Sequence, residues 1–224
     1  MEKYFLEFDD PNAQTNYARA RLFIPDLIRF KTDKGIHESH RMCGKASLMY
    51  KFMVIDADAF LTDDFDLSYI YDNLRPEPCV QIYRAINPVN DLVYGHGGIK
   101  IFDKRLFTES NSVDFSTSFV GNIHIAKKVM NIHKFNTTEF HTWRTAFREC
   151  AKLSAGIIKA RNYKDDEHRL NTWCNGGLNA LYGPYSVVGA NQGSEHGRTG
   201  NIDAINDFKW LRSKFEEAKD VLEA

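Results

Sequence analysis

Three stretches of this 224-residue chain combine residue types and spacings that can do chemistry. The first is Val54-Ile55-Asp56-Ala57-Asp58-Ala59, an apolar run that ends in two carboxylates one residue apart. Alternate residues of an extended strand point to the same side, so Asp56 and Asp58 share a face. Such a pair can hold a hard divalent cation, directly or through its waters, and leave coordination positions open for phosphate oxygens. The cation would neutralise charge on a departing diphosphate. The end of a buried strand suits this, because open α/β sheets bind ligands beyond the carboxyl ends of their strands. The plain alternative is a solvated strand end followed by a turn. Asp63, Asp64 and Asp66 come next and read as capping or surface acids ahead of Leu67-Ser68-Tyr69-Ile70, since a helix N-terminus favours acids.

The second stretch, Tyr94-Gly95-His96-Gly97-Gly98-Ile99-Lys100, packs three glycines around one histidine. Backbone can approach a ligand closely there, and the imidazole can donate or accept a proton. A tight hairpin that uses glycine only for positive φ is an equal reading. Lys100 stands between Ile99 and Ile101 on an expected strand, which favours a directed role for its charge, and Arg84, Arg144 and Arg148 are further cations for an anionic ligand. The third stretch, Gly189 to Gly197 with His196 near its end, reads with Trp173-Cys174-Asn175-Gly176-Gly177 as glycine-rich loop. A late histidine such as His196 can complete the coordination of a cation, or simply face water. Lys45, His37 and His40 precede the acidic strand, with donor-site and helix-surface roles both open. For a general base the choice is Asp114, in Val113-Asp114-Phe115-Ser116, or Glu149; the loop carboxylate is preferred to one on a packed helix.

The elements that must position these groups are legible in part. Tyr4 to Phe8 reads as a strand stopped by Asp9-Asp10-Pro11-Asn12, and a helix over about 13–24 follows. Ile36 to Tyr50 reads as helix and leads into the buried strand Phe52 to Ile55. Strand-like runs at 79–83 and 98–102 flank turn signals at Asn87-Pro88 and Asn90-Asp91, a hairpin-like excursion. A long helix is expected from about Phe140 to Ala160, and an amphipathic C-terminal helix presents Phe208, Leu211, Phe215 and Ala218 on one stripe. Alternating strands and helices predict an α/β domain with a mainly parallel sheet, residues 1–224 forming one domain. The formal net charge of −1 lacks the basic footprint of most duplex-binding domains. No run approaches the length of a membrane helix and the first ten residues carry acids, so a cytoplasmic protein with no membrane partner is expected. Cys43, Cys79, Cys150 and Cys174 are dispersed, as buried thiols of a reducing compartment would be.

Taken together, these residues make the chain resemble glycosyltransferases of the GT-A (Rossmann-like) fold, and more closely a group encoded by T-even-like bacteriophages and cyanophages. The resemblance rests on Phe8-Asp9-Asp10-Pro11-Asn12-Ala13 with Asn16, Gly35 to His40, Val54 to Ala59, Asn87 to Phe102, Phe135-Asn136-Thr137, Thr142 to Cys150 and Arg169 to Cys174. It implies a nucleotide-sugar donor, a uridine diphosphate sugar carrying glucose or arabinose, lying across Phe8, Asp10 and Asn12. Its diphosphate would sit on Mn2+ or Mg2+ at Asp56 and Asp58, with Lys45, Ala57, Gly97, Gly98 and Lys100 as further donor contacts and His196 as a later metal ligand. The acceptor would lie over Tyr94 to Gly98, with His96 and Asp114 as catalytic groups. Phage membership would make that acceptor a hydroxymethylated cytosine of double-stranded DNA, and the compartment the host cytoplasm. In this fold the metal strand usually lies deeper in the chain than residue 56. Rival readings are a nucleotidyltransferase acting on a sugar phosphate, for which no third acidic strand is evident, a glycosyltransferase with a saccharide or protein acceptor, and a binding module that keeps the fold without the chemistry.

Overall fold

The computed structural model describes residues 1–107, 122–158 and 163–223. They fall into two compact units, one built mainly from residues 1–87, 93–107 and 122–134, the other from 88–92 and residues after 135.

The first unit is a mixed sheet with helices on both faces. Its strands are β1 (Lys3–Glu7), β2 (Ile28–Lys31), β3 (Lys51–Asp56), β4 (Ala59–Leu61), β5 (Val80–Ile86), β6 (Val93–Tyr94), β7 (Ile99–Asp103) and β8 (Ile123–His133). The strand order is β2-β1-β3-β7-β5-β8-β4, with β6 paired to β5. Strands β2, β1, β3, β5 and β8 run one way and β7, β4 and β6 run against them. The sheet is therefore mixed, with parallel strands in the majority and an antiparallel strand inserted next to β3.

The continuous apolar run of β3 is explained by burial on both faces. Met53 and Ile55 join Phe5, Ile99 and Ile101 in one core, which helix α1 (Ala13–Phe23) covers through Ala20 and Tyr17. Phe52 faces the other way, stacking on Phe102 at 5.5 Å, and helix α2 (Ile36–Ala46) closes that side with His40 and Gly44. Helix α2 ends at Ala46, short of the expected Tyr50, because the Glu2 carboxylate takes the Ser47 hydroxyl (2.7 Å) and the Leu48 N–H (3.1 Å). Those bonds divert the chain and leave Leu48, Met49 and Tyr50 exposed. Helix α3 (Leu67–Asp72) is capped as its acids suggested, the Asp66 carboxylate accepting from Tyr69 N–H at 3.0 Å.

The second unit is helical: α4 (Glu139–Ser154), α5 (Tyr163–Asn175), α6 (Gly183–Thr199) and α7 (Phe208–Glu223). Here the expectation of a glycine-rich loop at 189–197 is wrong, since those residues lie in the middle and last turns of α6. Gly189, Gly193 and Gly197 recur every four residues and face α4, where an added Cβ would overlap the carbonyls of Trp143, Phe147 and Ala151 in turn. The glycines are there for backbone contact between two helices. Trp173 to Asn175 likewise belongs to α5 instead of a loop. Phe140, Trp143, Phe147, Ile205, Leu211, Phe215 and Ala218 form the core of this unit, and Trp143 Nε1 donates to Gln192 Oε1 at 2.8 Å.

Candidate active site

The residues Asp56-Ala57-Asp58 leave the carboxyl end of β3, and four hydrogen bonds fix their backbone. Asp56 N–H donates to Gly98 O (2.9 Å), Ala57 N–H to Leu6 O (3.0 Å), and Lys134 N–H to Asp58 O (2.7 Å). The buried Asn16 side chain on α1 donates to Ala57 O at 2.7 Å. The parallel pairing Leu6↔Asp56 sets the segment following β1, Phe8 to Asn12, beside the two carboxylates. Phe8 presents an exposed ring there. The Asp10 carboxylate accepts from Asn12 N–H at 2.8 Å in the turn that starts α1.

Each carboxylate meets a different partner. Lys100 is buried, and its Nζ donates to both oxygens of Asp56, at 2.9 and 2.7 Å. Register explains this: Lys100 lies opposite Val54 on the face that Asp56 shares, while its neighbours Ile99 and Ile101 face the core. Burial pushes the Asp56 carboxyl up to about 6, with the Lys100 charge pulling against it and Asp58 adding to it. Asp58 Oδ2 lies 3.0 Å from His133 Nε2. Burial opposes charge on Asp58 too, but the electrostatic pull and hydrogen bond of His133, then the pull of His96 and Lys100, hold its carboxyl well below the usual range. The His133 ring stacks on His96 at 3.4 Å between centroids. The second oxygen of Asp58, Oδ1, is buried with no hydrogen-bond donor among the described residues.

This arrangement fits a divalent cation of one particular kind. Among the described residues no group of three or more histidines, cysteines or acids can hold a metal by itself. Mg2+ and Mn2+ do not need one, since they are commonly held by one or two carboxylates together with the phosphates of a substrate. Asp58 Oδ1 could serve as such a ligand, with Asp56 two residues before it.

The expected residues are distributed unevenly. Asp56, Ala57, Asp58, His96, Gly97, Gly98 and Lys100 come together, joined by Phe8, Asp10 and Asn12 beyond β1. Gly97 needs its glycine, with φ +90°. Lys45 is exposed at the end of α2, 3.7 Å from Glu38. His196 lies in the helical unit, where Nε2 meets Asn201 O at 3.0 Å and the ring packs on Trp210 and Phe147. Arg148 donates to Ile205 O and Arg144 covers Phe140 and Phe208, so both serve that unit's packing. Glu149 is buried and bound by Arg169 at 2.8 Å. Asp114 falls outside the described residues.

Sequence reasoning missed Asn131 and His133, because β8 was not expected. Its start alternates as a strand should, Ile123-His124-Ile125, but Ala126-Lys127-Lys128 breaks the period where the register with β5 shifts. The signal that existed was the pair Asn131 and His133, two polar residues at strand spacing.

No family model matches the chain, and no curated protein matches it. Among solved structures it is similar to a glycosyltransferase involved in the glycosylation of the major capsid of PBCV-1 (10% identity, 62% of this chain and 95% of that one, TM-score 0.41). It is also similar to the mannosyltransferase PcManGT from Pyrobaculum calidifontis, in complex with GDP-Man and Mn2+ (12%, 97% and 74%, 0.42), and to S. aureus TarS 1-349 (11%, 97% and 87%, 0.35). At such identities and TM-scores none of these likenesses bears on activity.

Proposed function

We propose that this chain is a metal-dependent glycosyltransferase that moves a sugar from a nucleoside diphosphate sugar, favoured as a uridine diphosphate sugar of glucose or arabinose, to a hydroxyl acceptor. The observation that carries the reading is Asp58, just past the end of a central strand, with Oδ2 3.0 Å from His133 Nε2 and Oδ1 buried without a donor among the described residues. A diphosphate-bound Mn2+ or Mg2+ would satisfy that oxygen. The cation, when bound, supplies charge stabilisation for the departing diphosphate. Lys100 keeps Asp56 fixed and places a second positive charge behind the carboxylates. Phe8 offers an aromatic face for the base, next to Asp10 and Asn12. The glycine turn gives the acceptor a floor, with His96 beside it, and Asp114 is our candidate to take the acceptor hydroxyl's proton if the anomeric centre inverts. The favoured acceptor, by the phage resemblance, is hydroxymethylcytosine in DNA. Lys45 stays as a proposed donor contact, and Lys45→Ala is expected to weaken binding of UDP with Mn2+.

Incubation with MnCl2 and a panel of nucleotide sugars is expected to release nucleoside diphosphate slowly by donor hydrolysis. UDP and Mn2+ are expected to bind together and Mn2+ alone to bind weakly, as calorimetry would read. The absence of both donor hydrolysis and metal-dependent UDP binding would overturn the reading. An increase in the mass of hydroxymethylcytosine DNA after reaction tests the acceptor.

A further inference from the structure

Strand β8 brings a second buried polar group to this site. Asn131 and His133 are two residues apart and therefore share a face of the strand. Asn131 is fully buried and packed beside Gly98, its Oδ1 lying 3.0 Å from where a Cβ on Gly98 would stand. The side chain has a defined orientation, because Nδ2 donates to Arg84 O at 3.3 Å and so turns Oδ1 the other way. Among the described residues no donor reaches that oxygen. A buried amide oxygen is costly to leave unpaired, and a site with such an acceptor binds a ligand hydroxyl and rejects an analogue that lacks it. Gly98 lets the backbone come close at this point: a Cβ there would crowd Asn131 Oδ1 at 3.0 Å and the Ala59 Cβ at 3.2 Å, with His96 Nδ1 at 3.6 Å.

We infer that Asn131 is a specificity-determining residue whose Oδ1 accepts a hydrogen bond from one hydroxyl of the transferred sugar. This rests on the glycosyltransferase reading and adds to it a residue that reads the sugar and not the nucleotide. Asp58 serves the diphosphate through its cation, while Asn131, on the far side of His133 along β8, serves the sugar.

The test uses the whole chain, Mn2+, UDP, the sugar nucleotide that the wild type hydrolyses best, and its analogues with single hydroxyls removed. Wild type is expected to bind one of these deoxy analogues roughly tenfold to a hundredfold more weakly than the parent sugar nucleotide. Asn131→Ala is expected to lose that discrimination and to bind UDP with Mn2+ within about threefold of wild type. Gly98→Ala, whose Cβ would stand 3.0 Å from the Asn131 amide oxygen and block its approach by a ligand, is expected to erase the same discrimination. Discrimination that persists in Asn131→Ala overturns the assignment, as does an equal loss of UDP and sugar-nucleotide affinity, which marks a merely structural asparagine. A wild type that binds neither UDP nor any sugar nucleotide overturns the glycosyltransferase reading itself. One that binds UDP and its donor but ignores every missing hydroxyl overturns only the role of Asn131.

Discussion

Asp58 and Asn16 show how the site depends on single groups. Asp58→Asn keeps the shape and removes the charge, so metal-dependent UDP binding is expected to fall by at least about tenfold, the order set by losing one charge-assisted ligand. Its melting temperature is expected to stay within about 4 °C of wild type, the shift that about 1 kcal/mol produces in a chain of this size. A collapse of folding would instead mark the carboxylate as structural. Asn16→Ala removes the donor to Ala57 O and leaves a buried carbonyl unmet. A stability loss of about 1–3 kcal/mol is expected by denaturant titration, with weaker Mn2+-UDP binding because the acidic segment is no longer pinned.

The pairing of α4 with α6 turns the usual effect of a helical glycine around. In an exposed helix, Gly→Ala stabilises by about 0.5–1 kcal/mol. At Gly193 the new Cβ would overlap the Phe147 carbonyl, which is backbone and cannot rotate away. Gly193→Ala is therefore expected to destabilise by about 1–3 kcal/mol or more, read as a lower melting temperature. The exposed Glu195, two residues on, is the control, and Glu195→Ala is expected to change stability by less than about 0.5 kcal/mol.

Acid stability gathers contributions from the sheet unit. Glu2 is held down to about 2, chiefly by the Ser47 hydroxyl, and Asp26 is lowered by Lys3. Glu7 is lowered against its burial by Arg29 and Lys31, and Asp103 is lowered by Arg105. Their folded-state values lie below those of the unfolded chain, so their stabilisation is full above about pH 5 and is lost as pH falls through the folded values. Melting temperature is expected to drop from pH 5 to 2 as these groups take up protons. Glu2→Gln is expected to flatten that drop, and an unchanged slope would remove Glu2 from the account. Among the described residues no helix is long and apolar enough to cross a membrane.

Local pattern alone determined the strand ends, the acidic pair, the glycine turn and the cap at Asp66, because each of these is a short-range arrangement of backbone and neighbouring side chains. The Lys100 partner was half visible: its place between two isoleucines announced a buried charge, while only the antiparallel pairing of β7 with β3 decided that Asp56 receives it. Asn131 and His133 were hidden because a bulged strand breaks the alternation by which strands are read. The glycines of α6 were misread for a related reason, since the same spacing suits a loop until a second helix lies against it. Which polar group faces which is set by strand order and by helices in contact, and those join residues 41 to 75 positions apart, as Asn16 joins Ala57 and Asp58 joins His133.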